Sequence, residues 1–326
     1  MISNIIQFIN NLLVNIAQKT YHLPSLLVMK IVRLETHMFS VMFKLIRRSL
    51  IVMLLLSLTA CGALISSAKK EFAEDLSATI LAHDEPETVR QAIPTYLILV
   101  SSLIRGDQEN VDLLVSGSRL YGSYASVFVE ETDRKIILAK KSFAYAEQAM
   151  CIRLPESCAA KTMSYYEFER AINNIQKEDA SILFAYGAAW TGLIQANRAD
   201  WNAVAELPKA KAIIAKVLEL DEGISNGDAH LYMGVMESLL PPAMGGKPDI
   251  AKQHFERALA ISERKNLMAL LMYAEKYARL LFDRELHDRL LNELLAVDIR
   301  ESKTLLIDTI ARIKARELLA DADSYF

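Results

Sequence analysis

Residues that interrupt helices are scarce in this chain: 11 glycines and 8 prolines in 326 positions. An all-β chain needs turn residues every 8 to 12 positions, so the shortage argues against sandwiches and barrels. Three cysteines, Cys61, Cys151 and Cys158, are too few for a disulfide scaffold or a four-thiolate zinc site. The six histidines are scattered singly, His22 and His37 among the first 60 residues, with no His-Glu-x-x-His and no carboxylate at ligand spacing. No Gly-x-Ser-x-Gly occurs, which leaves Ser118 and Ser123 as small packing residues of a helix. Gly245-Gly246-Lys247 is no phosphate loop, because the earlier glycine is missing and Pro248 stands where Ser or Thr should hold magnesium. These absences predict no catalytic residue, no metal and no cofactor. No basic run with interleaved aromatics appears, so nucleic acid is not an expected partner.

What is present begins with a leader. Lys44, Arg47 and Arg48 form a positive segment, Ser49 to Ser57 an apolar one, and Leu58-Thr59-Ala60-Cys61 closes it. The apolar run is about a dozen residues, short of the roughly 20 that span a bilayer, and it ends at small residues instead of charges. This is the pattern of a lipoprotein signal: small residues let a peptidase grip an extended backbone, and the Cys61 thiol accepts the lipid. Residues 42–60 are therefore expected to be removed, with residues 1–41 an extension upstream of the working start at Met42. Gly62 is not the aspartate that retains lipoproteins in the inner membrane, which favours the outer membrane, facing the periplasm. Of 37 Lys+Arg and 40 Asp+Glu, the first 60 residues hold six and one, leaving 31 against 39 and a net charge of −8 on the mature chain. A mildly acidic surface fits a soluble periplasmic body.

After a lipid-anchored segment and first helix over 61–83, the apolar positions of 84–326 recur at three and four, which predicts an all-α fold. Helices are expected over 69–82, 86–105, 108–130, 132–150, 164–174, 179–196, 208–220, 226–240, 249–262, 266–281, 284–297 and 302–320. Asp84-Glu85-Pro86-Glu87 reads as a capping box, and Pro94, inside a helix, should kink it. Short links imply antiparallel hairpins. Ala251, Phe255 and Ala258 fit the A-x3-F-x2-A face of a tetratricopeptide repeat, with Gly234 as the small residue of the preceding helix. Looser copies are Tyr186, Gly187 and Trp190 with Ala210, Ile214 and Val217, and Tyr273, Ala274 and Tyr277 with Leu286, Leu290 and Leu294. The fold class expected is an array of antiparallel helical hairpins resembling divergent tetratricopeptide repeats. Generic hairpins without repeat ancestry are the alternative.

The order of features is more specific than the repeats. The lipobox, then Asp84-Glu-Pro-Glu-Thr-Val-Arg-Gln-Ala-Ile-Pro94, an aromatic helix around Leu120-Tyr-Gly-Ser-Tyr124, the loop Pro241-Pro242-Ala-Met-Gly245-Gly246-Lys247-Pro248 and Asn266-Leu-Met-Ala269 together resemble the TatT family. These are T components of tripartite ATP-independent periplasmic (TRAP) transporters. The resemblance covers roughly residues 68 to 320. It implies a lipid-anchored protein that forms a homotrimer and binds a periplasmic solute-binding protein, the P component, with a small hydrophobic or carboxylate-bearing ligand. A helical-repeat lipoprotein serving as an envelope assembly scaffold is the other reading.

Two sets of side chains are candidates for a ligand surface. Tyr121, Tyr124 and Phe128 form one helical stripe, and Tyr186 and Trp190 a similar pair; core packing is the default for both, and a cleft lined by phenols and rings the alternative. Cys151 and Cys158, the two thiols left after lipidation, form an even pair in an oxidising compartment and are expected as a disulfide across the turn at Pro155. Two free, packed cysteines are the alternative.

Overall fold

Several helix starts in this chain are set by side chains that accept backbone N–H groups the helix leaves unpaired. In the computed structural model, which describes residues 12, 16, 19, 42–50, 78–158 and 160–326, Glu85 takes the amides of Glu87 and Thr88 at the start of α1 (Pro86–Gly106). The cap is thus Glu85, one residue later than the Asp84 box expected. Asn110 caps α2 (Val111–Val127), and α3 (Thr132–Arg153) follows. Ser164 and Glu167 form a reciprocal capping box on α4 (Tyr165–Asn173). Then come α5 (Ala180–Ala196), α6 (Leu207–Leu220), α7 (Ile224–Glu237) and α8 (Pro248–Ile261). Asn266 caps α9 (Leu267–Met272), which continues into a π-helical turn, Tyr273–Ala278. Asp283 caps α10 (Arg284–Ala296), and α11 is Leu305–Ala320. Single helical turns stand at Trp201–Val204 and Ala322–Tyr325.

The chain is all-α: no strand occurs among the described residues. It falls into two units, Met1–Phe72 and Ala73–Phe326. In the first, residues 42–50 are helical and exposed. Leu58 to Cys61 and most of the first expected helix lie outside the described residues, and 78–81 are helical. No helix among the described residues is long and apolar enough to cross a membrane.

In the second unit, α1 keeps Pro94 inside its length and runs on to Gly106. The first turn of α7 departs most from the sequence reading. Ser225, Asn226 and Gly227 all have positive φ, so the regular helix starts at Asp228. A Cβ at Gly227 would press on the Ala258 carbonyl 3.2 Å away, so glycine is suited to both the backbone angle and the approach of α8.

Hairpins lock where one helix offers a small residue to a large one. The face of Gly234 on α7 lies 3.1 Å from the Phe255 ring of α8, measured from where a Cβ would stand. Ala251, Phe255 and Ala258 are fully buried there, with Phe255 stacked on Tyr273 at 5.0 Å and 10°. Gly187 of α5 does the same for α6, since a Cβ would sit 2.7 Å from Ile213 and Ile214. Tyr273, Ala274 and Tyr277 bury against Leu286, Leu290 and Leu294 in one apolar cluster.

Helix α5 packs on α2, α3, α6 and α7, α7 on α9, and α9 on α11. The C-terminal helix then returns to the first: Leu306 of α11 joins Val89, Ile93 and Leu97 of α1 and Tyr124 of α2 in a single cluster, with Ile310 beside it. Contacts therefore run in a closed circuit through α1, α2, α5, α7, α9 and α11.

Candidate functional site

The aromatic side chains singled out in the sequence occupy two separate places. Tyr121, Tyr124 and Phe128 pack with α1 and α11. The Tyr121 hydroxyl lies 2.8 Å from Ser101 Oγ and donates to the Leu97 carbonyl at 3.3 Å, while its ring meets the edge of Tyr145 at 5.8 Å. Tyr124 is buried, and its hydroxyl accepts from Arg134 at 3.3 Å. Phe128 is half-buried and borders a shallow depression with Arg90, Glu130, Glu131 and Arg134.

Tyr186 and Trp190 belong to a different cluster, buried with Phe143 and Phe168. Trp190 Nε1 donates to Glu206 Oε2 at 2.7 Å, and Lys161 pairs with the other oxygen at 3.2 Å. The Tyr186 hydroxyl is buried without a hydrogen-bond partner. Burial, then the neighbouring Glu147 and Glu206, push its ionisation above the ordinary phenol range. Burial also raises the Glu147 carboxyl. Both tyrosine sets thus contribute to packing, and the two sets share no surface.

The loop at 241–248 is exposed except where Gly246 and Pro248 turn inward. Gly245 adopts φ 93°, in the left-handed region, and a Cβ on Gly246 would overlap the Leu240 carbonyl. Pro248 opens α8 in its first turn, where a missing N–H is harmless. The Lys247 amide donates to the Glu237 carbonyl at 3.1 Å, tying the loop to the end of α7.

An open strip on α5 collects polar groups that the sequence reading passed over. Ser181, Ala188 and Gly192 share one face of an otherwise buried helix and reach solvent; nothing lies within 4 Å of where a Gly192 Cβ would stand. On the α2 side, Arg119 donates to the Ser181 hydroxyl at 3.2 Å. No acidic side chain pairs with that guanidinium among the described residues. It is exposed, yet surrounding protein lowers its pKa. On the α7 side, Tyr232 meets Phe184 edge-on at 5.6 Å. Burial pushes the Tyr232 phenol up to about 12, with Asp228 adding to the rise and Arg119 opposing it. Asp228 accepts from Asn266 Nδ2 at 3.0 Å, and burial lifts its carboxyl to about 6. The signal for Arg119 was legible: it is the one basic residue in α2, set among serines and glycines.

The sequence model of a family described as the TRAP transporter T-component matches residues 82–326, which takes in every helix from α1 to α11. This chain belongs to the T-component family of TRAP transporters. No curated protein matches it. As a T component, it is an accessory part of a transport system, and α1 to α11, the Pro241–Pro248 loop and the α5 strip all lie within the matched span.

Proposed function

We propose that this T component is held by lipid on Cys61 at the periplasmic side of a membrane, the outer membrane by preference, and there binds a TRAP solute-binding protein. The observation that carries the reading is the family match over 82–326, joined to a lipobox whose Cys61 stands 21 positions before that match begins. The mature chain assembles as a homotrimer with closed rotational symmetry and holds a small hydrophobic or carboxylate ligand on its way to the binding protein. Stacked hairpins suit such work because they present continuous surfaces to partners. Of the aromatic candidates, Tyr121 and Phe128 are only half-buried and so can face a ligand, whereas Tyr124 is buried beside them and Tyr186 and Trp190 pack a separate core.

Two experiments test this reading. Cys61→Ala should abolish labelling by palmitate and leave a soluble or unprocessed chain, because the several acyl chains of a mature lipoprotein anchor far more firmly than one; label persisting on the variant refutes the anchor. Light scattering of the lipid-free mature chain at micromolar concentration should give three times the chain mass. A strict monomer there moves the balance to the scaffold reading, in which the protein organises envelope assembly and carries no ligand.

A further inference from the structure

Between α7 and α8 a ladder of four side chains fixes where each proton sits. Arg257 grips both oxygens of Glu222 at 2.7 and 2.8 Å, and those bonds, then the one from His230, hold the Glu222 carboxyl down at about 2. His230 Nε2 lies 3.2 Å from this carboxylate, which can only accept, so His230 keeps its proton on Nε2 and presents a bare Nδ1. His254 Nδ1 stands 2.8 Å from that Nδ1, and the ring centroids are 5.1 Å apart, as for two imidazoles whose nitrogens point at each other. His254 therefore donates through Nδ1–H, and its Nε2 is the one nitrogen of the pair without a hydrogen. A chelated metal would need both lone pairs aimed at one point beside the rings, whereas these nitrogens face head-on. The ladder also pins the segment it starts from: Glu222 precedes the left-handed run at 225–227, where Gly227 meets the Ala258 carbonyl of α8.

We propose that this ladder is a proton-operated latch: a first added proton is accepted at His254 Nε2, and a second, forced onto His230 Nδ1, breaks the imidazole contact and frees the 222–227 link from α8. The first proton leaves the N–H···N bond intact. The second sets N–H against N–H and two cations side by side, and the half-buried His254 is the ring able to turn out to water. The other charges around the hairpin are already answered. On α6, Lys211 pairs with Glu237 at 2.7 Å, Lys216 with Glu219 at 3.1 Å, and Lys209 is held by the carbonyls of Ala160, Lys161 and Met163. Glu275 and Lys276 of the π-helical turn pair with each other, Arg264 joins Glu256 to Glu293, Asn266 engages Asp228, and α5 and α9 carry no charged side chain. Burial lowers both imidazoles, with Glu222 opposing this at His230 and Glu237 at His254. The closed hairpin thus takes up protons later than the open one, whose histidines titrate near 6.5, and closure present above about that pH is lost as the pH falls. Where opening takes up two protons, its equilibrium constant climbs up to about a hundredfold per pH unit. The inference is independent of the lipid anchor and of any partner.

Amide hydrogen exchange read by mass spectrometry on the whole purified chain tests it, at pH 7 and pH 5, corrected for the intrinsic pH dependence of exchange. Peptides from 221–237 and 248–261 should exchange roughly tenfold faster or more at pH 5, while peptides from α2 and α3 stay protected. His254→Asn puts an amide N–H donor where Nδ1–H stood and cannot take a proton. It should match the parent at pH 7 and lose most of the rise at pH 5. Asp228→Asn, which removes the neighbouring carboxyl that protonates near 6, should keep the rise. No local rise in the parent, a rise spread evenly over the chain, a rise in His254→Asn equal to the parent's, or its loss in Asp228→Asn overturns the latch. If His254→Asn does not fold, exchange at the imidazole Cε1 positions of the parent decides: both rings should titrate below the roughly 6.5 of a free histidine, and either one at or above it overturns the proposal.

Discussion

At the scale of residues, the fold depends on a few large side chains seated against glycine. Phe255 is wholly buried between Gly234 and Tyr273. Phe255→Ala should cost about 3 to 5 kcal/mol, the usual toll of a large core truncation, read as a lower urea midpoint with little change in slope. A second residue-scale feature responds to pH. His254 Nδ1 lies 2.8 Å from His230 Nδ1, His230 Nε2 lies 3.2 Å from Glu222, and Arg257 grips that same carboxylate at 2.7 and 2.8 Å. Glu237, paired with Lys211 of α6, adds a negative charge near His254. Burial, then the charge of His230, lower His254 to about 4. Because the unfolded imidazole titrates near 6.5, the unfolded chain takes up the proton first, and stability is lost as pH falls from about 6.5 toward 4. Asp228 works the other way, since its folded carboxyl protonates near 6, before the unfolded one. His254→Gln should therefore flatten the fall in melting temperature between pH 7 and pH 5; an unchanged slope contradicts the assignment.

At the scale of elements, what the sequence made legible was whatever local chemistry decides. Most helix limits agree within three residues, whereas the Ser164–Glu167 box and the caps Asn110, Asn266 and Asp283 were not singled out from the sequence, which named only the box at Asp84–Glu87. The π-helical turn at Tyr273–Ala278, with its i to i+5 bonding, was not legible: Tyr273 and Tyr277 there meet Phe255, a tertiary contact that local sequence does not show. The left-handed run at 225–227 was missed for the same reason: it brings α7 against Ala258 and Ile261 of α8, more than thirty positions away. The turn after α3 carries the next prediction. In the structure Cys151 and Cys158 form a disulfide with Cα atoms 4.5 Å apart, within the range a bridge needs. Mass spectrometry of the protein isolated without reductant should find neither thiol alkylated before reduction; two free thiols contradict it. A closed loop this short restrains little of the unfolded chain, so replacing both cysteines by serine should cost about 2 kcal/mol or less.

At the scale of the whole molecule, periodicity alone reads as a string of hairpins and cannot say that α11 returns to α1. That closure depends on Leu306 and Ile310 meeting Val89, Ile93 and Leu97 across more than two hundred positions. The same blindness hid the α5 strip: Arg119, Ser181 and Tyr232 come from three helices, and only folding places them side by side. The proline-glycine loop and the order of motifs pointed to the family that the match over 82–326 shows, whereas periodicity pointed only to the all-α class. The central claim is that this T component acts on a solute-binding protein. It is tested most directly by immobilising the chain, purified from the membrane that holds it, in nanodiscs and measuring, by biolayer interferometry, its binding of the purified TRAP solute-binding protein from the same cell. The account predicts saturable binding that empty nanodiscs lack; no binding at concentrations up to about 100 μM, where even weak transient pairs register, would contradict it.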